Sequence, residues 1–542
     1  MPVSPLLLSV CVIARDEERF ITACLASVAG VADQLVVLDT GSTDRTVELA
    51  RSAGAEVHRF AWCDDFAAAR NAALVHARGQ WVLMLDADEE LPPDQHDTLR
   101  EHLADPTAAA FRLPIVNVGE EKLGANYVPR LFRNVPGARY AGRIHEQVFP
   151  SVLALSRAKG QIAKLGSARL VHHGYTAAVT RERDKVERNL RLLRQAVSER
   201  PLDTNLRLNL GLERVRSGDL TGGLEDYAEA FRMLSATSPV DVSPELRETL
   251  LTQFAPHLLR AGRPDEVESL LASPLAQTAP LTASLQLTLG LARWQRREFS
   301  AAAEAIGAAL ATRMVPGLTP GMADLHSAVP HHFLALCLRE LGDLAGAEAA
   351  FLEGLATGSK TEALRLDYAR HLAHGHQPVE AIQQLHELVR SDNRSAEAWC
   401  LGGQLALSRP EYLEFALDWT AEAIRALPED RPLRELRAEA LLLAQQMDAA
   451  LPLWRVLAAD RGAPRNRAAV LLCELCADAG SVSVVPESEA RSISQAALGW
   501  YRRWIEFGAG DAVKRVTERS NRIRTILPEF AAVLDSVAAA TR

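Results

Sequence analysis

No lysine occurs in the first 100 residues of this 542-residue chain, which hold 8 Arg against 16 Asp and Glu and so carry −8 of the total formal charge of −9. A segment so short of positive charge makes a poor nucleic-acid surface, because phosphate contacts dominate that binding. It also lacks a Walker-type glycine–lysine loop, so a phosphorylated ligand there needs a divalent cation for much of the opposing charge. No apolar run approaches the length of a membrane span. The run Leu6–Ile13 has neither a basic leader nor a small-residue cleavage site and leads straight into Arg15-Asp-Glu-Glu18. It reads as a first buried strand, not as a signal peptide. Cysteines are few, odd in number and scattered, which points to a reducing, cytoplasmic setting and away from a disulfide framework. The close pair Cys473 and Cys476 lies in an apolar helical segment without a second pair nearby and reads as core.

What is present follows two patterns. Residues 1–115 alternate β-rich runs (Leu7–Ala14, Gln34–Leu38, Ala55–Phe60, Trp81–Leu85) with helical stretches (Glu18–Val28, Asp44–Ala53, Phe66–Ala77). That alternation predicts a parallel sheet covered on both faces. A further strand near Ala109–Pro114 continues the sheet or opens its variable part. Residues 115–175, mixed in Gly, Pro and aromatics, read as substrate-facing loops. From about residue 180 the strands stop. Arg183–Val197 is an amphipathic helix, and helices follow one another to the C-terminus.

In that second part a period of about 34 residues is visible. Asn209-Leu-Gly211 precedes Gly218-Asp219, Tyr227 and Ala230; Leu289-Gly290 precedes Ala302, Ile306 and Ala309; Leu341-Gly342-Asp343 precedes Ala347 and Phe351. Gly375 marks a further turn, and Trp399, Gly402 and Gly403 open a unit ending near Pro428. Small residues at fixed places let paired helices approach closely. The pattern resembles degenerate tetratricopeptide repeats; the alternative is a non-repeating helical bundle. The expected division is a catalytic domain over 1–180, a helical linker over 181–200, repeats over 201–460 and a helical cap over 461–542.

The most informative motif is Asp86-Ala87-Asp88 at the end of the apolar run Trp81–Leu85, followed by Glu89 and Glu90. Ligands of open α/β sheets collect at the carboxyl ends of the strands. Two acids there repel each other, an arrangement that suits a divalent ion held against a phosphorylated substrate. The alternative is a solvated acidic turn. Asp39 ends a second strand before Thr40-Gly-Ser-Thr43, where an acid can accept hydrogen bonds from a base or ribose, and Asp44 can cap the following helix. Arg70 and Asn71 lie on a helix between two strands. Arg143-Ile-His145-Glu146 and Val171-His172-His173-Gly174-Tyr175 set polar groups in apolar surroundings. A carboxylate there can serve as general base and an imidazole as a metal ligand.

The series Val12–Glu18, Leu38–Asp44, Asp65–Asn71 and Leu85–Glu89, continued by Arg130–Arg133, Ile144–Glu146 and His172–Tyr175, resembles family 2 glycosyltransferases. Its nearest subgroups are the sublancin-type peptide S-glycosyltransferases and the lipopolysaccharide-core glucosyltransferases. Over residues 6–190 the resemblance implies a Rossmann-like glycosyltransferase-A fold, a nucleotide-sugar donor (a UDP-sugar), a divalent cation (Mn2+ or Mg2+) and inversion at the anomeric carbon. Position by position it implies that Ala14, Glu17 and Asp39 line the nucleotide pocket, that Arg70 approaches the diphosphate and that Asp86 meets ribose or metal. Asp88 and His172 would be metal ligands, His172 being chosen over His173, and Glu146 the base. Arg15-Asp16 departs from the family's usual pair.

The expected function is transfer of a hexose to a peptide or protein acceptor presented by the repeats. The alternatives are a cell-envelope glycan or lipid-linked acceptor, a nucleotidyltransferase, and a non-catalytic repeat scaffold. Neither nucleic acid nor a membrane segment is an expected partner.

Overall fold

A computed structural model describes residues 6–118, 126–173, 179–238, 242–315, 322–358, 361–459, 463–477 and 482–540. Gly174 and Tyr175, the end of the last sequence motif, lie outside the described residues.

Apolar runs of strand length form the centre of the N-terminal part. β1 (Leu8–Ala14), β2 (Gln34–Asp39), β3 (Glu56–Arg59) and β4 (Trp81–Asp86) are parallel, with β1 between β2 and β4. Period-two alternation divides their side chains between two cores. Leu8, Val10, Val12, Leu83 and Leu85 pack with helices α1 (Ile21–Val28) and α4 (His96–Ala104). Cys11, Val36, Leu38, Val82 and Met84 pack on the opposite face with α3 (Phe66–Leu74) and α5 (Phe149–Ser156). Between β2 and β3 runs α2 (Thr46–Ser52). Asp65 starts α3 by accepting the Ala68 amide at 2.9 Å, and Asp44 accepts both the Thr46 and Glu18 amides, joining the loops after β1 and β2.

Beyond β4 the parallel expectation fails. β5 (Glu89–Glu90), β6 (Ala108–Asn117), β7 (Asn126–Arg133), β8 (Ile162–Leu165) and β9 (Leu170–His172) complete a sheet ordered β3-β2-β1-β4-β7-β6-β9-β5, with β8 beside β6. β7 is antiparallel to both β4 and β6. A strand that returns directly after β6 can pair with it only in that sense, so the sheet is mixed. Residues 115–175, expected as loops, contain three strands. Two of these have only 3 or 4 residues, too short for a period-two signal.

The chain divides into two compact units, Met1–His326 and Ser327–Arg542. In the first, α6 (Val179–Glu199) leaves the sheet, and α7 (Thr204–Arg216) pairs with α8 (Leu220–Ser235). Helices Pro244–Arg260 with Pro264–Leu271, and Ala283–Gln295 with Phe299–Thr312, follow as further pairs. The second unit repeats the device from Val329–Glu340 with Leu344–Ala356 onward. Among the described residues no helix is long and apolar enough to cross a membrane.

The repeat's small residues do what their spacing predicts. A Cβ at Gly290 would stand 2.5 Å from Ile306 and 3.1 Å from its backbone nitrogen, and one at Gly402 would stand 2.3 Å from the Trp419 ring. Most of the turns inside pairs use one left-handed residue, supplied by Gly218 (φ 94°), Gly262 (φ 70°) and Gly342 (φ 83°) but elsewhere by Arg297, His376 and Gln445. Gly375, expected to mark such a turn, has φ −76° and hands that conformation to His376.

Gly290→Val should destabilise the first unit by about 1–3 kcal/mol through overpacking. Gly307→Ala, on the partner helix where an added Cβ meets nothing within 4 Å, should stabilise it by about 0.5–1 kcal/mol. Urea unfolding of the two variants checks both signs.

Candidate active site

Register brings the predicted residues to one end of the sheet. Ala14 lies opposite Asp39, Ile13 opposite Asp86, and Glu89 opposite His172. A cavity of about 610 Å³ opens there. Ala14, Glu17, Arg70, Asp86, Asp88, Glu146 and His172 all line it. Asp39 is buried at 4 % exposure and accepts the Ser42 amide at 2.9 Å, while its neighbour Thr40 faces the cavity. Asp16, the departure in the first motif, has φ 55° and accepts the Thr43 amide at 2.7 Å, which ties the β1 loop to the β2 loop. His173 pairs instead with Glu90 at 3.2 Å.

The floor of the cavity is a charge network in which Arg70 and Glu89 are buried and Asp86 is partly open to the cavity. Arg70 donates through Nη2 to Asp86 Oδ1 at 2.9 Å and through Nε to Glu146. Arg130 of β7 donates to the other Asp86 oxygen and to Glu89, whose second oxygen accepts the Asp86 amide at 3.1 Å. Burial by itself would raise Asp86, but Arg130 and Arg70 outweigh it and hold the carboxyl well below the usual carboxylate range. For Glu89 burial wins over Arg130, and its pKa rises to about 7. Two guanidiniums face three carboxylates, so charge balances when Glu89 holds a proton.

Asn71 fixes the approach to Glu146 by a reciprocal pair of bonds with the Tyr140 backbone, at 3.0 and 2.7 Å. His145, next to Glu146, has φ 54°, a conformation uncommon outside glycine. Ile144 anchors this loop in an apolar cluster with Leu190, Leu193 and Val197 of α6 and Leu206 and Leu210 of α7.

The residues expected to hold a divalent cation divide. Asp88 Oδ2 and His172 Nε2 lie 3.3 Å apart, and His172 Nδ1 meets Asn117 Oδ1 at 3.1 Å, an outer contact that orients the ring. Their donor types suit a cation that completes its shell with phosphate oxygens and water. Asp86 has both oxygens on guanidiniums and does not join them. Among the described residues no group of three His, Cys, Asp or Glu gathers as a closed metal cage.

Sequence reading gave no role to Arg130, Glu89 or Tyr140. The signal for Arg130 was a lone cation in the otherwise apolar Val128-Pro-Arg-Leu-Phe132. Glu89 was masked by the acidic run in which it sits.

Residues 9–149 match the family model described as glycosyl transferase family 2. This segment is a family 2 glycosyltransferase domain. A TPR repeat-containing protein of Synechococcus elongatus is 41% identical over 219 residues, 39% of this chain and 53% of that protein. The SPbeta prophage-derived glycosyltransferase SunS of Bacillus subtilis is 25% identical over 194 residues, 35% of this chain and 45% of SunS. The chain thus spans about half the length of the curated relatives it matches. Among solved structures, glucosyl-3-phosphoglycerate synthase of Mycobacterium tuberculosis with Mn2+ and UDP-glucose aligns at TM-score 0.28 and 14% identity, over 35% of this chain and 77% of that one. That likeness is too loose to bear on substrate or metal.

Arg130→Met leaves Asp86 and Glu89 short of a guanidinium and should cost about 3–5 kcal/mol. Glu89→Gln keeps a neutral group of the same shape but sets an N–H against one of two donors and should cost less, about 1–3 kcal/mol. Denaturant titration of the family 2 domain's transition compares the two.

Proposed function

We propose that the protein is an inverting, metal-dependent hexosyltransferase that moves a sugar from a UDP-sugar to a peptide or protein acceptor presented by the helical repeats. The observation that carries this reading is the presence, in one cavity of a family 2 domain, of the Asp88–His172 pair and of a Glu146 held by Arg70. Ala14, Glu17 and Thr40, the last beside the buried Asp39, would line the nucleotide pocket, with Asp86 beside the ribose. Asp88 and His172 would hold Mn2+ or Mg2+, which when bound offsets charge developing on the departing diphosphate.

Glu146 takes the proton from the acceptor's nucleophile as that atom attacks the anomeric carbon, on the side opposite the nucleotide. The new bond forms as the bond to the diphosphate breaks, so the sugar inverts. Arg70 Nε fixes the Glu146 carboxylate for that step. An extended repeat surface suits a peptide better than a small sugar. All seven cysteines are unpaired, in keeping with a reducing compartment such as the cytoplasm.

Incubation with a panel of UDP-hexoses and Mn2+, read by mass spectrometry, should give UDP and a glycosylated polypeptide, and no nucleotide release from any donor would reject the reading. Glu146→Gln should lower kcat by roughly a hundredfold or more with donor affinity little changed; unaltered turnover would remove Glu146 as the base. Asp88→Ala should weaken calorimetric UDP binding roughly tenfold in the presence of Mn2+ and much less in its absence.

A further inference from the structure

Four arginines line the cavity: Arg15, Arg70, Arg130 and Arg188. Arg70 and Arg130 are engaged by Asp86, Glu89 and Glu146. Arg15 has Asp16 at 3.9 Å. Arg188, on α6, has no carboxylate within 4.0 Å among the described residues. Its Nη2 reaches Asn189 Oδ1 at a long 3.4 Å, and its guanidinium lies 5.4 Å from the centre of the Phe66 ring.

Arg188 is exposed at the edge of the cavity, where its charge is crowded by other cations. Partial removal from water and the repulsion of Arg15 and Arg191 lower its pKa, while Asp64 and Glu213 oppose them more weakly. Asp64 is itself committed to Arg191, through Arg191 Nη2 to Asp64 Oδ1 at 2.9 Å. A cation crowded by cations on a cavity wall gains most when an anion arrives.

The side chain is also held in position. One turn further along α6, Arg191 binds Asp64, and at the helix end Glu199 accepts from Arg143 at 3.0 and 2.9 Å. Leu190, Leu193 and Val197 are buried against Ile144. The helix is therefore fixed immediately after Arg188, and the guanidinium lies beside the Phe66 ring.

The same cavity contains the Asp88–His172 pair suited to a divalent ion. A ligand that uses both a cation and a guanidinium has more than one anionic group close together. A nucleoside diphosphate has that chemistry, and a guanidinium can meet a phosphate through paired N–H groups. We propose that Arg188 binds the diphosphate of the nucleotide donor, so that α6, outside the matched family 2 segment, completes the donor site. This rests on the nucleotide-sugar reading above and extends it to a residue after the sheet.

The test is calorimetric titration of the full chain with UDP and Mn2+ across a range of ionic strength. Arg188→Met keeps an aliphatic stem on Phe66 and removes the charge. It should weaken UDP binding roughly ten- to a hundredfold and flatten the fall of affinity with salt. Arg188→Lys should recover part of both. Wild-type protein that takes up no nucleoside diphosphate overturns the functional reading itself. If the wild type binds UDP and Arg188→Met binds it equally well, the Arg188 assignment is wrong, and a weakened variant with an unchanged salt dependence would assign Arg188 to helix packing alone. A loss confined to acceptor KM would also overturn it.

Discussion

A network of five ionisable side chains beneath one cavity, with Arg70 and Glu89 buried and the others partly so, is the constraint on which the N-terminal part of this protein depends. Asp86 sits at the end of β4 with Arg70 from α3 on one oxygen and Arg130 from β7 on the other. Glu89 and Glu146 complete the set. Removing such groups from water costs several kcal/mol each unless every one finds a partner in good geometry. The network therefore demands that β4, β7, α3 and the Glu146 loop arrive together. It also suits the proposed reaction: a rigid set of charges around the cavity could act on a developing diphosphate without reorganising.

The fixed charges explain why the Asp-x-Asp motif does not behave as a symmetric pair. Asp86 is absorbed by guanidiniums, whereas Asp88, two residues on, faces His172 across the β5–β9 ladder. The first acid builds the floor of the cavity and the second meets an imidazole on its wall. The short β5–β9 pairing brings His172 to this place, because Glu89 and His172 are register partners.

Helix α6 links the sheet to the repeats within the first unit. Its apolar side covers Ile144, two residues from Glu146, and its polar side bonds Asp64 and Arg143. The loop bearing the proposed base thus leans on residues from α6 and α7. The helical pairs that follow need little more than a small residue at close approaches, a left-handed residue at most turns and an acid such as Asp219 or Asp343 to cap the next helix. The left-handed position accepts Arg297, His376 and Gln445 as well as glycine. The repeat is consequently degenerate in sequence while regular in backbone.

Local chemistry alone was enough to indicate the strand–helix alternation, the acid pair at the end of β4, the amphipathic α6 and the small-residue marks of the repeats. Each depends on a periodicity or conformational preference that operates within a few residues. The tertiary structure decided the rest: the antiparallel insertion of β7, the engagement of Asp86 by Arg130 and Arg70 at separations of 44 and 16 residues, and the hold of Arg70 on Glu146 at 76. Arg130 and Arg188 look like ordinary cations in a one-dimensional chain. Their meaning comes from which charges the fold sets beside them, because the cost and gain of a buried charge depend on distances in space that no local pattern records.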